Sequence, residues 1–231
     1  LAYHALTGGY LLGEILQRIT GKSLRTFLDE EIRQPLNFKS FTYGTDEKNL
    51  PLIAQDAVTG PRTPDAITGI LKRSLGVDLP ELAQVSNDPR FRTSVVPSGN
   101  LLSTPDEACR FFECLRRGGE IDGIRIFNPE TVELARRAQN HQELDRVIRF
   151  PMRYGLGFML GDHPFSLYGN DTPHAFGHLG FSQVLVWCDP ERELSVAFLN
   201  TGKPLFTLEF VVWRDILNTI AKLIPRSRQL R

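Results

Sequence analysis

The feature that most restricts the fold lies in the last third of the chain. Two stretches rich in β-branched and aromatic residues, FSQVLVWCD (181–189) and ELSVAFLNT (193–201), read as strands. They are separated by the turn Asp189-Pro190-Glu191-Arg192. A connection that short has no room for a crossover helix, so the two strands must pair antiparallel. RYGLGFML (153–160) reads as a further strand. From about 205 to 224, Leu208, Val211, Val212, Ile216, Ile220 and Leu223 fall on one side of a helix. The expected outcome is an α+β fold, an antiparallel sheet flanked by helices with a C-terminal covering helix.

Upstream, residues 8–20 place Leu11, Leu12, Ile15, Leu16 and Ile19 at helical spacing, ending at Gly21. Ser23 is a candidate cap for a second helix, SLRTFLDEEIRQ, closed by Pro35. Together they predict a helical hairpin around Gly21-Lys22. From 39 to 98 the periodicity fades. Pro51, Pro61, Pro64, Pro80, Pro89 and Pro97 punctuate a variable, loop-rich excursion with one helix near 64–75. Ser103-Thr104-Pro105-Asp106-Glu107 then announces a helix through about Arg116. Gly118-Gly119 ends it, EIDGIRIF turns at Asp122-Gly123, and Asn128-Pro129-Glu130 opens another helix. No internal repeat or low-complexity tract interrupts the chain.

Composition narrows the partners. The 231 residues carry 27 basic and 27 acidic side chains, which leaves no electrostatic reason to bind nucleic acid or an anionic membrane. No apolar run approaches the ~20 residues of a bilayer span. A small-molecule or protein partner remains, and oligomeric state is open. Three cysteines, Cys109, Cys114 and Cys188, include no Cys-x-x-Cys pair and make an odd set, which fits structural thiols in a reducing, cytoplasmic setting. The start, Leu1-Ala2-Tyr3-His4, is no signal peptide and reads as the interior of a domain, so any targeting signal is expected upstream.

An ordered set of short motifs resembles one superfamily: serine β-lactamases of class C type, the related penicillin-binding proteins, and carboxylesterases of the same fold. Tyr3-His4-Ala5-Leu6-Thr7-Gly8-Gly9-Tyr10 is similar to that family's tyrosine motif and following helix. Thr20-Gly21-Lys22-Ser23 through Pro35-Leu36, then Ser98-Gly99-Asn100-Leu101-Leu102-Ser103-Thr104, continue the match. Gly118-Gly119 to Gly123, Pro129-Glu130-Thr131-Val132, Tyr154-Gly155-Leu156-Gly157, Gly177-His178-Leu179-Gly180 and Asp189-Pro190 complete it in order. The resemblance implies a β-lactamase/transpeptidase-like fold whose N-terminal part is missing, with residues 1–231 as a partial domain.

What the resemblance implies for chemistry is acyl transfer through a serine, which needs a base and donors for the developing oxyanion. Tyr3 matches the family's catalytic tyrosine. A phenol titrates near ~10, so it acts as a base at neutral pH only beside positive charge. The family's lysine, in a Ser-x-x-Lys turn, supplies that charge. His178-Leu179-Gly180 stands where lactamases carry Lys-Thr-Gly, and the Phe181 N–H matches an oxyanion donor. His178, Gly180 and Phe181 are thus the expected substrate-binding residues. Histidine and leucine in place of lysine and threonine remove the groups that hold a lactam's carboxylate, which tilts the substrate toward an uncharged ester.

No Ser-x-x-Lys occurs in the chain, and Thr45-Asp46-Glu47-Lys48 is a chance match in a polar loop. No Gly-x-Ser-x-Gly elbow occurs either. His174 and His178 are four apart, but Pro173 and Gly177 argue against a helical metal pair, so no metal or cofactor is expected. Asn200 is either a substrate-facing asparagine or a plain turn residue, and Asp162-His163 and Asp171 decorate a polar loop. The reading is the C-terminal portion of an ester-cleaving serine hydrolase whose nucleophile segment lies outside this chain. A non-catalytic binding or scaffold protein of the same fold is the alternative. Without the rest of the fold, a sheet edge and apolar surface are expected to be left uncovered.

Overall fold

A computed structural model describes residues 1–60, 68, 77–148, 150–181, 184–204 and 209–227. Apart from residue 68, the helix expected near 64–75 lies outside the described residues, as do 205–208 of the expected C-terminal helix. Contacts divide the chain into two compact units. The helical unit comprises Tyr3–Glu107 and Thr201–Leu205, and the sheet unit Leu1–Ala2, Ala108–Asn200 and Phe206–Arg231.

In the helical unit, α1 (Ala5–Thr20) stops where Gly21 turns left-handed at φ 69°, its N–H donating to the Gln17 carbonyl at 2.8 Å. α2 (Leu24–Leu28) is capped by Ser23, whose Oγ accepts the Thr26 N–H at 3.1 Å. It then widens into a π-helical turn, Asp29–Arg33, so the single α-helix expected up to Pro35 ends early. β1 (Thr42–Tyr43) and β2 (Ala57–Val58) follow. α3 (Leu79–Asn87) and α4 (Pro89–Thr93) then fill ground that reads as loop in the sequence. Pro80 and Pro89 look like breakers, yet both occupy first-turn positions, where a missing N–H costs nothing. Asp78 completes a capping box with Glu81 ahead of α3.

Side chains rather than ladders hold this region. The buried Arg92 guanidinium donates to the carbonyls of Ser86 and Ala54, both at 3.0 Å, and to Asn87 Oδ1. Asn100, also buried, donates to the Phe91 and Ser94 carbonyls at 2.8 Å and accepts the Val96 N–H at 2.9 Å. β3 (Leu101–Leu102) pairs antiparallel with β1.

Most of the apolar face read from residues 8–20 is turned outward, with Leu16 half-buried. α1 meets the 97–98 turn through its glycine side, where a Cβ on Gly9 would stand 1.9 Å from Ser98 Oγ and one on Gly13 3.5 Å from Pro97 Cγ. That approach leaves no room for a larger side chain at Gly9, and Leu11, Leu12 and Ile19 are 66%, 67% and 79% exposed.

The unit boundary falls within α5 (Pro105–Arg116). Beyond it, β4 (Glu120–Ile121) and β5 (Ile124–Arg125) form the expected hairpin, with Asp122 and Gly123 both left-handed at φ 53° and 77°. α6 (Pro129–Arg136) opens at its proline. The main sheet uses β6 (Glu143–Leu144), β7 (Pro151–Tyr154), β8 (Met159–Leu160), β9 (Phe176–Leu179), β10 (Leu185–Asp189) and β11 (Leu194–Phe198). Its order is β11-β10-β9-β8-β7-β6, each neighbouring pair antiparallel. β12 (Gly202–Lys203), in the helical unit, pairs parallel with β2.

RYGLGFML is not one strand. It folds back at Gly155-Leu156-Gly157 into β7 and β8, because a Cβ at Gly155 would meet the Ala135 carbonyl at 2.3 Å and Gly157 sits at φ 85°. The turn between β10 and β11 is stapled by a buried ion pair. Asp189 Oδ1 accepts the Glu191 N–H at 3.0 Å, and Oδ2 takes Arg192 Nη1 at 2.7 Å.

Trp187, Tyr168, Phe176, Met152 and Met159 are fully buried, with Tyr168 stacked on Trp187 at 5.8 Å. α7 (Glu209–Leu223) covers the sheet through Trp213, edge-on to Phe198 at 4.8 Å, and through buried Leu217. On α5, Glu113 accepts hydrogen bonds from Arg116, Arg117 and Ser195. Partial burial pushes its carboxyl up, but these donors outweigh burial and hold it at about 2. Cys114 and Cys188 are wholly buried, and desolvation pushes the Cys114 thiol up to about 11.

Candidate active site

β9 and β10 pair with His178 opposite Val186 and Gly177 opposite Trp187. Gly177 is dictated by packing: a Cβ there would lie 2.2 Å from the Val186 carbonyl and 2.5 Å from Trp187 Cβ. Gly180 is different. Its N–H donates to the Val184 carbonyl at 2.7 Å, but among the described residues a Cβ would meet nothing closer than Val184 Cβ at 3.4 Å. The fold described therefore tolerates a methyl group at Gly180.

His178 is half-buried, and its Nδ1 lies 2.9 Å from the Leu179 carbonyl. A carbonyl only accepts, so in the neutral ring Nδ1 carries the proton and Nε2 the lone pair. Desolvation lowers its affinity for a second proton, outweighing the bond to Leu179. At neutral pH this is an uncharged imidazole. Phe181 follows in a turn and is 40% exposed, and among the described residues no backbone carbonyl accepts its N–H. His178, Gly180 and Phe181 are thus brought together at one strand end.

Tyr3 belongs to the helical unit. It stands just ahead of α1 and lines a concavity of about 360 Å³ with Gly8, Gly9, Leu12 and Ser98. Beside it, His4 Nδ1 and Thr7 Oγ1 share a hydrogen bond of 2.9 Å. Asn200 follows β11 and is exposed. His174 precedes β9 outside any helix, with Nε2 4.0 Å from Glu191 Oε1. A second concavity, about 250 Å³, is lined in the sheet unit by Glu133, Arg136, Arg153 and His174. Nothing in the sequence signals it, because its walls come from α6, β7 and the loop before β9.

An antiparallel sheet carrying a Gly-His-Leu-Gly strand, together with a helix fronted by a tyrosine, defines a protein of the β-lactamase/transpeptidase type. The β-lactamase family model matches residues 1–219, and the chain belongs to that family. It is 28% identical to the esterase/β-lactamase LipL of Mycobacterium tuberculosis (strain ATCC 25618 / H37Rv), over 99% of this chain and 55% of LipL. A penicillin-binding protein homologue from Caulobacter crescentus superimposes with a TM-score of 0.70 at 25% identity, covering 88% of this chain and 53% of its own. A family VIII carboxylesterase shares the fold with a TM-score of 0.76 at 24% identity, covering 97% and 58%. The chain therefore spans about half the length of the curated relative and solved structures it resembles.

Proposed function

We propose that this chain supplies the tyrosine and the oxyanion strand of a serine hydrolase that cleaves an ester through an acyl-enzyme, a β-lactam or peptide amide being the poorer substrate. The serine and lysine belong to a Ser-x-x-Lys segment that this sequence does not contain. In this reading the serine Oγ attacks the ester carbonyl while the lysine and Tyr3 take up its proton. The Phe181 N–H holds the developing oxyanion, the alcohol departs, and water releases the acid. Gly180 leaves room for substrate to lie along the strand.

The observation that carries the ester preference is the neutral, half-buried imidazole of His178 where a lysine would present a cation. A carboxylate-bearing substrate gains no ion pair there, and an uncharged ester loses nothing. LipL, named as both esterase and β-lactamase, is consistent with this. The test is hydrolysis of p-nitrophenyl butyrate and of a chromogenic cephalosporin by a protein joining this chain to a Ser-x-x-Lys segment. The expected ester kcat/KM exceeds that for the lactam, and His178→Lys narrows the gap. A lactam preference would sink the proposal.

The missing Ser-x-x-Lys favours a second reading, a non-catalytic binding or scaffold protein. Incubation of the 231-residue chain with a fluorophosphonate probe separates the two. Labelling of this polypeptide would refute both the scaffold reading and an external nucleophile.

A further inference from the structure

Four strands of the main sheet each put one residue into a single row. Arg153 on β7 stands opposite Leu160 on β8, Leu160 opposite Phe176 on β9, and Phe176 opposite Cys188 on β10. Residues directly opposite one another on antiparallel neighbours share a face of the sheet. Leu160, Phe176 and Cys188 are buried there in one apolar cluster with Val132 of α6. Arg153 breaks the pattern. Its side chain, 27% exposed, lines the concavity of about 250 Å³ in the sheet unit, where the buried side chains of Leu160, Ala175 and Phe176 form an apolar floor.

The polar wall of this concavity has more donors than the described residues accept. Arg153 gives Nη1 to the Gly161 carbonyl at 3.0 Å, while Asp162 Oδ1 lies 3.5 Å from the same nitrogen, too far for a good hydrogen bond. Its Nε and Nη2 meet no acceptor among the described residues. On α6, Arg136 turns Nε and Nη2 to the same oxygen, Glu133 Oε2, at 2.6 and 2.5 Å. That leaves its Nη1 without an acceptor among the described residues. His174 likewise makes no hydrogen bond among them, its Nε2 standing 4.0 Å from a Glu191 carboxylate that Arg226 Nε approaches to 3.2 Å.

We infer that this concavity binds a small organic monocarboxylate, its charged end on the guanidiniums and its apolar body on Leu160, Ala175 and Phe176. The Nε–Nη2 edge of Arg153 is a fork that matches the two oxygens of a carboxylate, and Arg136 Nη1 and His174 add single donors. Glu133 and Asp162 stand beside the two guanidiniums and offset much of their charge, so a phosphate dianion is poorly matched. The volume falls below the ~300–1,000 Å³ of sites for drug-sized ligands, so the body is compact, on the scale of one phenyl ring. The lining residues run from Glu133 to Phe176, and neither Tyr3 nor His178 is among them. This inference does not rest on the hydrolytic reading.

The test is calorimetric titration of the 231-residue chain with benzoate, beside benzamidine, a cation of the same shape, and inorganic phosphate. Benzoate is expected to bind saturably with a Kd of about 1 mM or tighter, and the other two at least tenfold more weakly. Arg153→Lys keeps the charge but removes the fork, and should weaken benzoate binding at least tenfold. Glu133→Gln alters a side chain that is 56% exposed and removes a neighbouring negative charge, so it should tighten benzoate binding about threefold. Unchanged circular dichroism and melting temperature of both variants without benzoate would place these effects in the site and not in the fold. Three results would overturn the inference: no saturable benzoate binding, phosphate or benzamidine binding as tightly as benzoate, or benzoate affinity indifferent to both substitutions.

Discussion

At the level of single residues, the two glycines of Gly177-His178-Leu179-Gly180 have different reasons to be there. Gly177→Ala drives a methyl group into the β10 backbone, and a cost of about 2–3 kcal/mol is expected from overpacking. Gly180→Ala should cost under about 1 kcal/mol. Urea unfolding followed by Trp187 and Trp213 fluorescence reads both. Comparable losses at the two positions would show that Gly180 is also a packing residue. Glu113 gives a pH signature. Its folded pKa is held at about 2, below the unfolded carboxyl, so its contribution is complete above the unfolded value near 4.5 and fades as pH falls toward 2. Glu113→Gln should therefore flatten the decline in melting temperature between pH 4.5 and 2, while leaving the slope above pH 5 unchanged.

At the level of elements, what is legible in sequence is what local chemistry decides. Asp122-Gly123 needs two left-handed residues and has them, and Asp189 to Arg192 is too short for anything but a hairpin. The staple inside that second turn is invisible in sequence, since an aspartate before proline reads as a generic turn. Asp189→Ala leaves the Arg192 guanidinium buried without its carboxylate, and a loss of about 3–5 kcal/mol is expected on urea unfolding. A loss under 1 kcal/mol would mean that the carbonyls of Asp171 and Ala221 suffice for Arg192. The misread elements share one cause. Pro80 and Pro89 read as breakers by residue type, whereas their effect depends on standing in a first turn. RYGLGFML has strand composition throughout, and its bend is imposed by the Ala135 carbonyl across space. The His-Leu-Gly strand was legible through its motif, but the tautomer of His178 follows from the Leu179 carbonyl, which the motif does not reveal.

At the level of the whole molecule, each unit presents apolar helix surface to solvent, Leu11, Leu12, Ile15 and Ile19 on α1, and Val212, Ile216 and Leu223 on α7. Monomeric proteins seldom leave such patches uncovered. The native chain is therefore expected to bind 8-anilinonaphthalene-1-sulfonate at neutral pH. A variant with Leu11→Glu, Ile15→Lys and Ile19→Glu should lose part of that fluorescence while keeping its helical circular dichroism. Dye binding that appears only on unfolding would contradict the exposed faces. Periodicity marks these residues as an apolar stripe but is silent on which side of a helix its neighbour occupies. On α1 that choice was made by Gly9 and Gly13.

The polar fastening of residues 54–56 and 86–100 also bears on which substitutions this part of the chain tolerates. Arg92 and Asn87 hold the carbonyls of Ala54 and Asp56, and Asn100 holds those of Phe91 and Ser94, so the backbone at 54–56 and 91–94 depends on those three side chains. Exposed positions nearby, such as Leu52 and Gln55, take no part in that fastening, so substitutions there are expected to leave the backbone at 54–56 in place.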